Sequence, residues 1–143
     1  MTDKTKRVDI TGMELVLRSF PNPGDINANG HIYGGWIMHQ MDMAGAIFAM
    51  RKADGHCATV SAETIKFLAP IQRFDVVSLY ARVERVGRTS LSVRLHCVST
   101  RGRSAKEVDV ANGLFTFVAL DKDGKSREVP AKLRDEVSSA APE

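Results

Sequence analysis

The chain has 143 residues, 43% of them hydrophobic and 26% charged, which fits one compact domain and excludes a disordered chain or a collagen-like repeat. Its two cysteines make neither a disulfide scaffold nor a zinc module, and such sparing use favours the cytoplasm. The net charge of +3 is modest, and 6% aromatic residues with a single Trp are too few for a base-stacking platform, so no nucleic-acid partner is expected.

Residues 1–12 begin with the polar, charged stretch Met1–Val8 and read as a flexible N-terminus without the apolar core of a signal peptide. One domain is expected over residues 13–130. Glu14–Phe20 is short and β-prone. Pro21–Gly30 is dense in turn-forming residues and reads as one ordered loop. Trp36–Ala53 is a helical run whose apolar residues cover nearly the whole circumference, which predicts burial on every side. It is too short and too interrupted to span a membrane.

Four strands follow. Cys57–Leu68 alternates loosely, and Val76–Val86 places Val77, Leu79, Ala81 and Val83 on one face. Thr89–Ser99 directs Leu91, Val93, Leu95 and Cys97 one way and Ser90, Ser92, Arg94 and His96 the other. Val108–Leu120 places Val110, Leu114, Val118 and Leu120 on one face and Phe115 and Phe117 on the other. Residues 131–143 form a polar C-terminal tail that frays or makes a short helix. Long strands joined by short turns favour an antiparallel sheet, and one buried helix beside it makes an α+β architecture. A helix buried all round needs more cover than one sheet face gives, so a partner subunit is expected.

Asp42 is the first chemical candidate. A carboxylate among apolar residues is costly unless paired, and burial would raise its pKa toward that of a useful base. Gly45 and Ala46, three and four residues on, share its helix face and leave space above the carboxylate. The alternative is an Asp42 that points to solvent or is satisfied by a neighbour. Gly34-Gly35 precedes the helix; free N–H groups at a helix N-terminus stabilise a developing oxyanion, and glycine admits close approach. The bland reading is a tight turn into the helix. Seven residues, roughly 10 Å of helical rise, separate Gly35 from Asp42, within reach of one acyl group. His31 lies in the preceding loop, and His39 lies three residues before Asp42. A His39/Asp42 metal pair lacks a third ligand nearby, and no metal or other cofactor is expected.

Between Arg82 and Lys106 stand seven Lys and Arg against one acid, Glu84. That run is either a solvated basic face or a docking surface for a multiply phosphorylated ligand.

The run Asp25-Ile26-Asn27-Ala28-Asn29-Gly30-His31-Ile32-Tyr33-Gly34-Gly35-Trp36-Ile37-Met38, followed by Gln40-Met41-Asp42, resembles the signature of hotdog-fold acyl-CoA thioesterases of the bacterial YciA type. Thr59–Glu63, Phe67–Pro70, Val86–Ser90 and Phe115–Asp121 agree in order and spacing, so the resemblance covers roughly Glu14 to Pro130. It implies a long central helix wrapped by a curved antiparallel sheet of five to six strands. It also implies dimers with active sites at the subunit interface, often assembled as trimers of dimers. The activity implied is hydrolysis of acyl-CoA to a free acid and coenzyme A. The family's catalytic carboxylate falls on Asp42, its backbone oxyanion donor on Gly35, and a variable polar loop residue on His31. Asn29 and Gly34 belong to the same substrate-binding loop. Arg88, Thr89 and Ser90 fall where relatives hold the CoA arm, and Thr59, Ser61 and Glu63 fall on a strand that faces the partner's site. Asp109 and Ala111-Asn112 stand where relatives carry a Lys and then Thr-Glu. Two other readings keep this fold: an acyl-CoA-binding sensor without turnover, and a hydratase or dehydratase of acyl thioesters.

Overall fold

Apolar alternation builds five strands within one or two residues of the expected limits: β1 (Glu14–Ser19), β2 (Cys57–Phe67), β3 (Val76–Val86), β4 (Ser90–Thr100) and β5 (Glu107–Ala119). They form one antiparallel sheet in the order β1-β3-β4-β5-β2, so β1 and β2 are its edges. The computed structural model describes residues 8–140; the first seven residues of the predicted N-terminal segment lie outside the described residues.

Helix α1 (Gly34–Ala53) lies across the sheet and begins two residues earlier than the apolar pattern indicated, so Gly34 and Gly35 belong to its first turn. A long helix laid on one face of an antiparallel sheet is the hotdog arrangement of an α+β fold. The core forms where α1 meets the inward residues Val77, Leu79, Ala81, Leu91, Val93, Leu95 and Cys97, all 0 or 1% exposed. Burial pushes the Cys97 thiol up to about 12, so it stays protonated at neutral pH.

Three expectations change. The helix is not buried on every side within one protomer. Ile37, Met41, Ala44, Phe48, Ala49 and Ala53 are covered, whereas Met38, Met43 and Met50 are 41%, 38% and 36% exposed. Secondly, Gly45 does not open space above Asp42. A Cβ there would stand 2.6 Å from Phe117 Cζ and 2.9 Å from Leu95 Cδ1, so this glycine lets helix and sheet approach closely. Thirdly, Val110 is set apart from Leu114 and Val118: it is the unpaired residue of a bulge and fully buried, while Ala111, Gly113, Phe115, Phe117 and Ala119 make the inward face. A bulge between Cys97 and Val98 in the β4–β5 ladder absorbs one residue and changes the face of everything beyond it. Gly45→Val is expected to lower stability by about 2–3 kcal/mol, because Phe117 and Leu95 are already fully packed. A thermal melt at fixed protein concentration checks this; a variant as stable as wild type would show that the contact yields.

The C-terminal segment forms helix α2 (Ala131–Ala140), whose Leu133 is 4% exposed and whose Val137 packs on the core. Its approach is fixed by Arg127, which donates to the carbonyls of Leu120 (2.9 Å) and Ala53 (2.9 Å). The guanidinium thereby satisfies a carbonyl at the C-terminus of α1, where the helix dipole favours a cation.

Candidate active site

The loop before α1 is shaped by a side chain that the sequence pattern did not single out. Asn27 Oδ1 accepts the N–H groups of Asn29 (2.9 Å) and His31 (3.1 Å). The Asn27 N–H donates to the His31 carbonyl (2.6 Å), and Ile26 and Ile32 pair across the neck of the loop. Gly30 takes φ +80 at the turn, a conformation that favours glycine. The signal in the sequence was an Asn two residues before another Asn, because Asn side chains bond backbone N–H groups two residues on. His31 is thus held through its backbone, half-buried, directly ahead of the helix.

At the helix N-terminus, the Trp36 and Ile37 N–H groups donate to the Tyr33 carbonyl (3.0 and 3.4 Å). Those of Gly34 and Gly35 have no intrahelical acceptor, as is general for a first turn. A Cβ at Gly35 would meet nothing within 4 Å, and one at Gly34 would touch the Phe67 ring at 3.6 Å. The glycine pair therefore presents backbone donors at an accessible surface.

Two helical turns on, Asp42 is half-buried. Its Oδ1 accepts a hydrogen bond from Thr59 Oγ1 at 2.6 Å. Among the described residues, no other side chain or backbone group bonds this carboxylate. Thr59 belongs to β2, at the sheet edge, and lies opposite Phe117 of β5. His39 is exposed on the same helix.

The structure separates residues that strand alternation had placed together. Thr59, Ser61 and Glu63 alternate in sequence, but β2 bulges between Thr59 and Ser61. Ser61 pairs with Thr116 and Glu63 with Leu114, so both share the outward face of the sheet. Thr59 alone of the three turns to α1 and touches Asp42 of its own chain.

Arg88, Thr89 and Ser90 form the β3–β4 turn, closed by a bond from the Gly87 N–H to the Ser90 carbonyl (2.8 Å). The turn is tied down where the Arg88 and Thr89 carbonyls accept Val129 and Ala119 N–H groups at 2.9 and 2.8 Å. The Arg88 guanidinium is 72% exposed and lies 3.6 Å from Glu128. Ser90 lines up through Val118 with Ala58, so this turn lies at the Thr59 end of β2.

The basic run is not one patch. Arg82 and Arg94 flank Glu84 (3.7 and 2.8 Å), and Arg101 pairs with the buried Asp75 at the other end of the sheet. Asp109, one of the residues that depart from the family pattern, bonds His96 Nε2 at 2.5 Å on the outward face, away from α1. A concavity of about 630 Å³ lies between α2, β3 and the C-terminal half of α1, and another of about 370 Å³ on the outward face of the sheet; Asp42 lines neither. Among the described residues, no three His, Cys, Asp or Glu side chains are grouped to hold a metal ion. Among the described residues, no helix is long and apolar enough to cross a membrane.

A long helix on an antiparallel sheet, glycines opening that helix and a carboxylate two turns along it together define a thioesterase-like hotdog protein. The family model "Thioesterase superfamily" matches residues 29–106. The chain belongs to that family, and within it to the acyl-CoA thioester hydrolases of the YciA type. It is 43% identical over 122 residues to the acyl-CoA thioester hydrolase YciA of Salmonella typhimurium, covering 83% of this chain and 92% of the relative. It also resembles HI0827, a hexameric broad-specificity acyl-coenzyme A thioesterase (TM-score 0.82, 40% identity, 98% of this chain and 95% of that one). Cj0915, a hexameric hotdog-fold thioesterase of Campylobacter jejuni, matches with a TM-score of 0.81 and 33% identity, over 87% of this chain and 96% of that one.

Proposed function

We propose that this protein hydrolyses acyl-CoA thioesters to a carboxylic acid and coenzyme A. The observation that carries this reading is the Asp42 carboxylate, bonded through one oxygen to Thr59 and to no other group among the described residues, two turns from the Gly34-Gly35 donors. The thioester carbonyl sits against the Gly35 N–H, which stabilises negative charge as the carbon becomes tetrahedral. Asp42 Oδ2 takes a proton from a water whose oxygen bonds to that carbon; the C–S bond breaks, and the thiolate of coenzyme A recovers a proton. In the variant route Oδ2 itself bonds to the carbon, expels the thiolate and leaves an anhydride for water to cleave. Both routes use water, a carboxylate and backbone donors, and call on no metal or redox cofactor.

The protein works as a homo-oligomer in this reading. With the active site at a subunit interface, as the family resemblance implies, the CoA arm bound at one protomer's Gly35 meets the Arg88–Ser90 turn of another. The exposed face of α1 and the apolar edge residues Val60, Phe67 and Leu68, each more than half exposed, support burial against a second copy. A trimer of dimers agrees with the hexameric neighbours. Two free cysteines support a reducing, cytoplasmic location.

Thiol release from short-, medium- and long-chain acyl-CoAs tests the activity. Tight CoA-ester binding with no thiol released from any of them would favour the sensor, and enoyl-CoA hydration without thiol release the hydratase. Arg88→Ala is expected to raise KM for CoA esters about 5- to 20-fold with kcat little changed, since a phosphate contact contributes binding and not bond-breaking. Initial rates across substrate concentration check this; an unchanged KM removes Arg88 from the ligand site.

A further inference from the structure

We infer that Thr59 is a positioning residue for Asp42, a role that rests on the reading of Asp42 as the group that attacks or activates water. The Oγ1–Oδ1 separation of 2.6 Å is that of a short hydroxyl–carboxylate hydrogen bond. The bond is not a device for satisfying a buried polar pair, because Thr59 is exposed and Asp42 is half-buried. Either group alone could be hydrated there, so the contact adds little to folding. What it does is choose a geometry. With Oδ1 engaged, the carboxylate is restrained about its terminal torsion, which is otherwise broad, and Oδ2 is left without a bond among the described residues.

Local backbone structure serves the same contact. The bulge between Thr59 and Ser61 leaves Thr59 as the residue of that run aimed at α1 and sends Ser61 and Glu63 to the opposite face. Thr is β-branched and stiff at χ1, so its hydroxyl is offered in few orientations. The general principle is that reacting groups work when neighbours lock their rotamers, and misplacement of about 1 Å can cost about 100-fold in rate. Thr59 supplies that lock from the sheet edge to the helix centre.

The test compares Thr59→Val, which keeps the shape and removes the donor, with Thr59→Ser, which keeps the donor, in the intact oligomer. Thr59→Val is expected to lower kcat about 10- to 100-fold, the effect of losing a hydrogen bond to a charged group, with KM within about twofold. Thr59→Ser is expected to recover most of the rate. In an Asp42→Asn background, adding Thr59→Val is expected to change kcat no further. A wild-type kcat in Thr59→Val, a rise in KM alone, or a Thr59→Ser as slow as Thr59→Val would overturn the positioning role. Thermal melts of both variants identify loss of fold, and Thr59→Ala read by the same kcat-to-KM split replaces a variant that fails to assemble. If Asp42→Asn is inactive while Thr59→Val turns over normally, only the role of Thr59 falls. A fully active Asp42→Asn would instead overturn the reading of Asp42 itself.

Discussion

Replacing Asp42 with Ala or Asn is expected to lower the rate of CoA release by about 10³-fold, while the melt and the oligomeric state stay close to wild type. The magnitude is that of removing a general base or nucleophile, which supplies about 10²–10⁴ of a rate enhancement. Stability should change little for a physical reason. The Asp42 carboxylate is half-buried and has one protein partner, Thr59, so Asn neither strands a buried charge nor opens a cavity. The two substitutions also differ in a useful way. Asn can still accept the Thr59 hydrogen bond through its amide oxygen but cannot take a proton at neutral pH, whereas Ala does neither. Equal loss in both assigns the effect to chemistry and not to the bond. Thiol detection with saturating acyl-CoA reads it directly, and a variant retaining more than about a tenth of wild-type kcat would remove Asp42 from the reaction.

A second large effect is expected far from the chemistry. Asp75 is 1% exposed, accepts the Gln72 N–H at 2.8 Å and pairs with Arg101 where β3 begins and the β4–β5 turn closes. Asp75→Ala leaves the Arg101 guanidinium largely buried without its partner and is expected to cost about 3–5 kcal/mol. For a chain of this size that is a fall of about 10 °C in Tm. Removing both charges, as Asp75→Leu with Arg101→Met, is expected to cost much less than removing one, because the penalty comes mainly from the stranded charge. Denaturation of the single and double variants at one protein concentration measures the coupling. A single-variant loss below about 1 kcal/mol would show that water solvates the guanidinium after all.

The basic run between Arg82 and Lys106 shows how a charge count can mislead. Counted along the chain it is a strong positive excess. In space, Glu84 lies between two of its arginines, Asp75 neutralises a third, and Glu128 stands beside Arg88. The acids that balance the run come from outside the window or from the middle of it, and sequence distance does not register such partners. What remains for a phosphate is a turn, Arg88–Ser90, held in place by three backbone hydrogen bonds. Its place in the fold matters more than the excess of charge around it.

Strand limits and the long helix were legible in the chain itself, because alternation with period two and an unbroken apolar run are local signals that burial enforces. The glycines before the helix and the carboxylate two turns into it were legible for the same reason, since helical rise converts spacing directly into distance. Faces were not legible wherever a bulge intervened. One extra residue in β2 parts Thr59 from Ser61 and Glu63, and one in β5, Val110, is buried apart from Leu114 and Val118. A bulge leaves the pattern of residue types intact and changes only which side they face. Nor could the pattern tell that the apolar ring of α1 is covered by the sheet on one side and left bare at Met38, Met43 and Met50 on the other. Local pattern thus specifies the elements, their order and the position of Asp42. Long-range contacts alone settle that Gly45 serves packing, that Thr59 holds Asp42, and that Arg101 pairs with Asp75. Those three facts depend on contacts between residues distant in the chain, which no local period records.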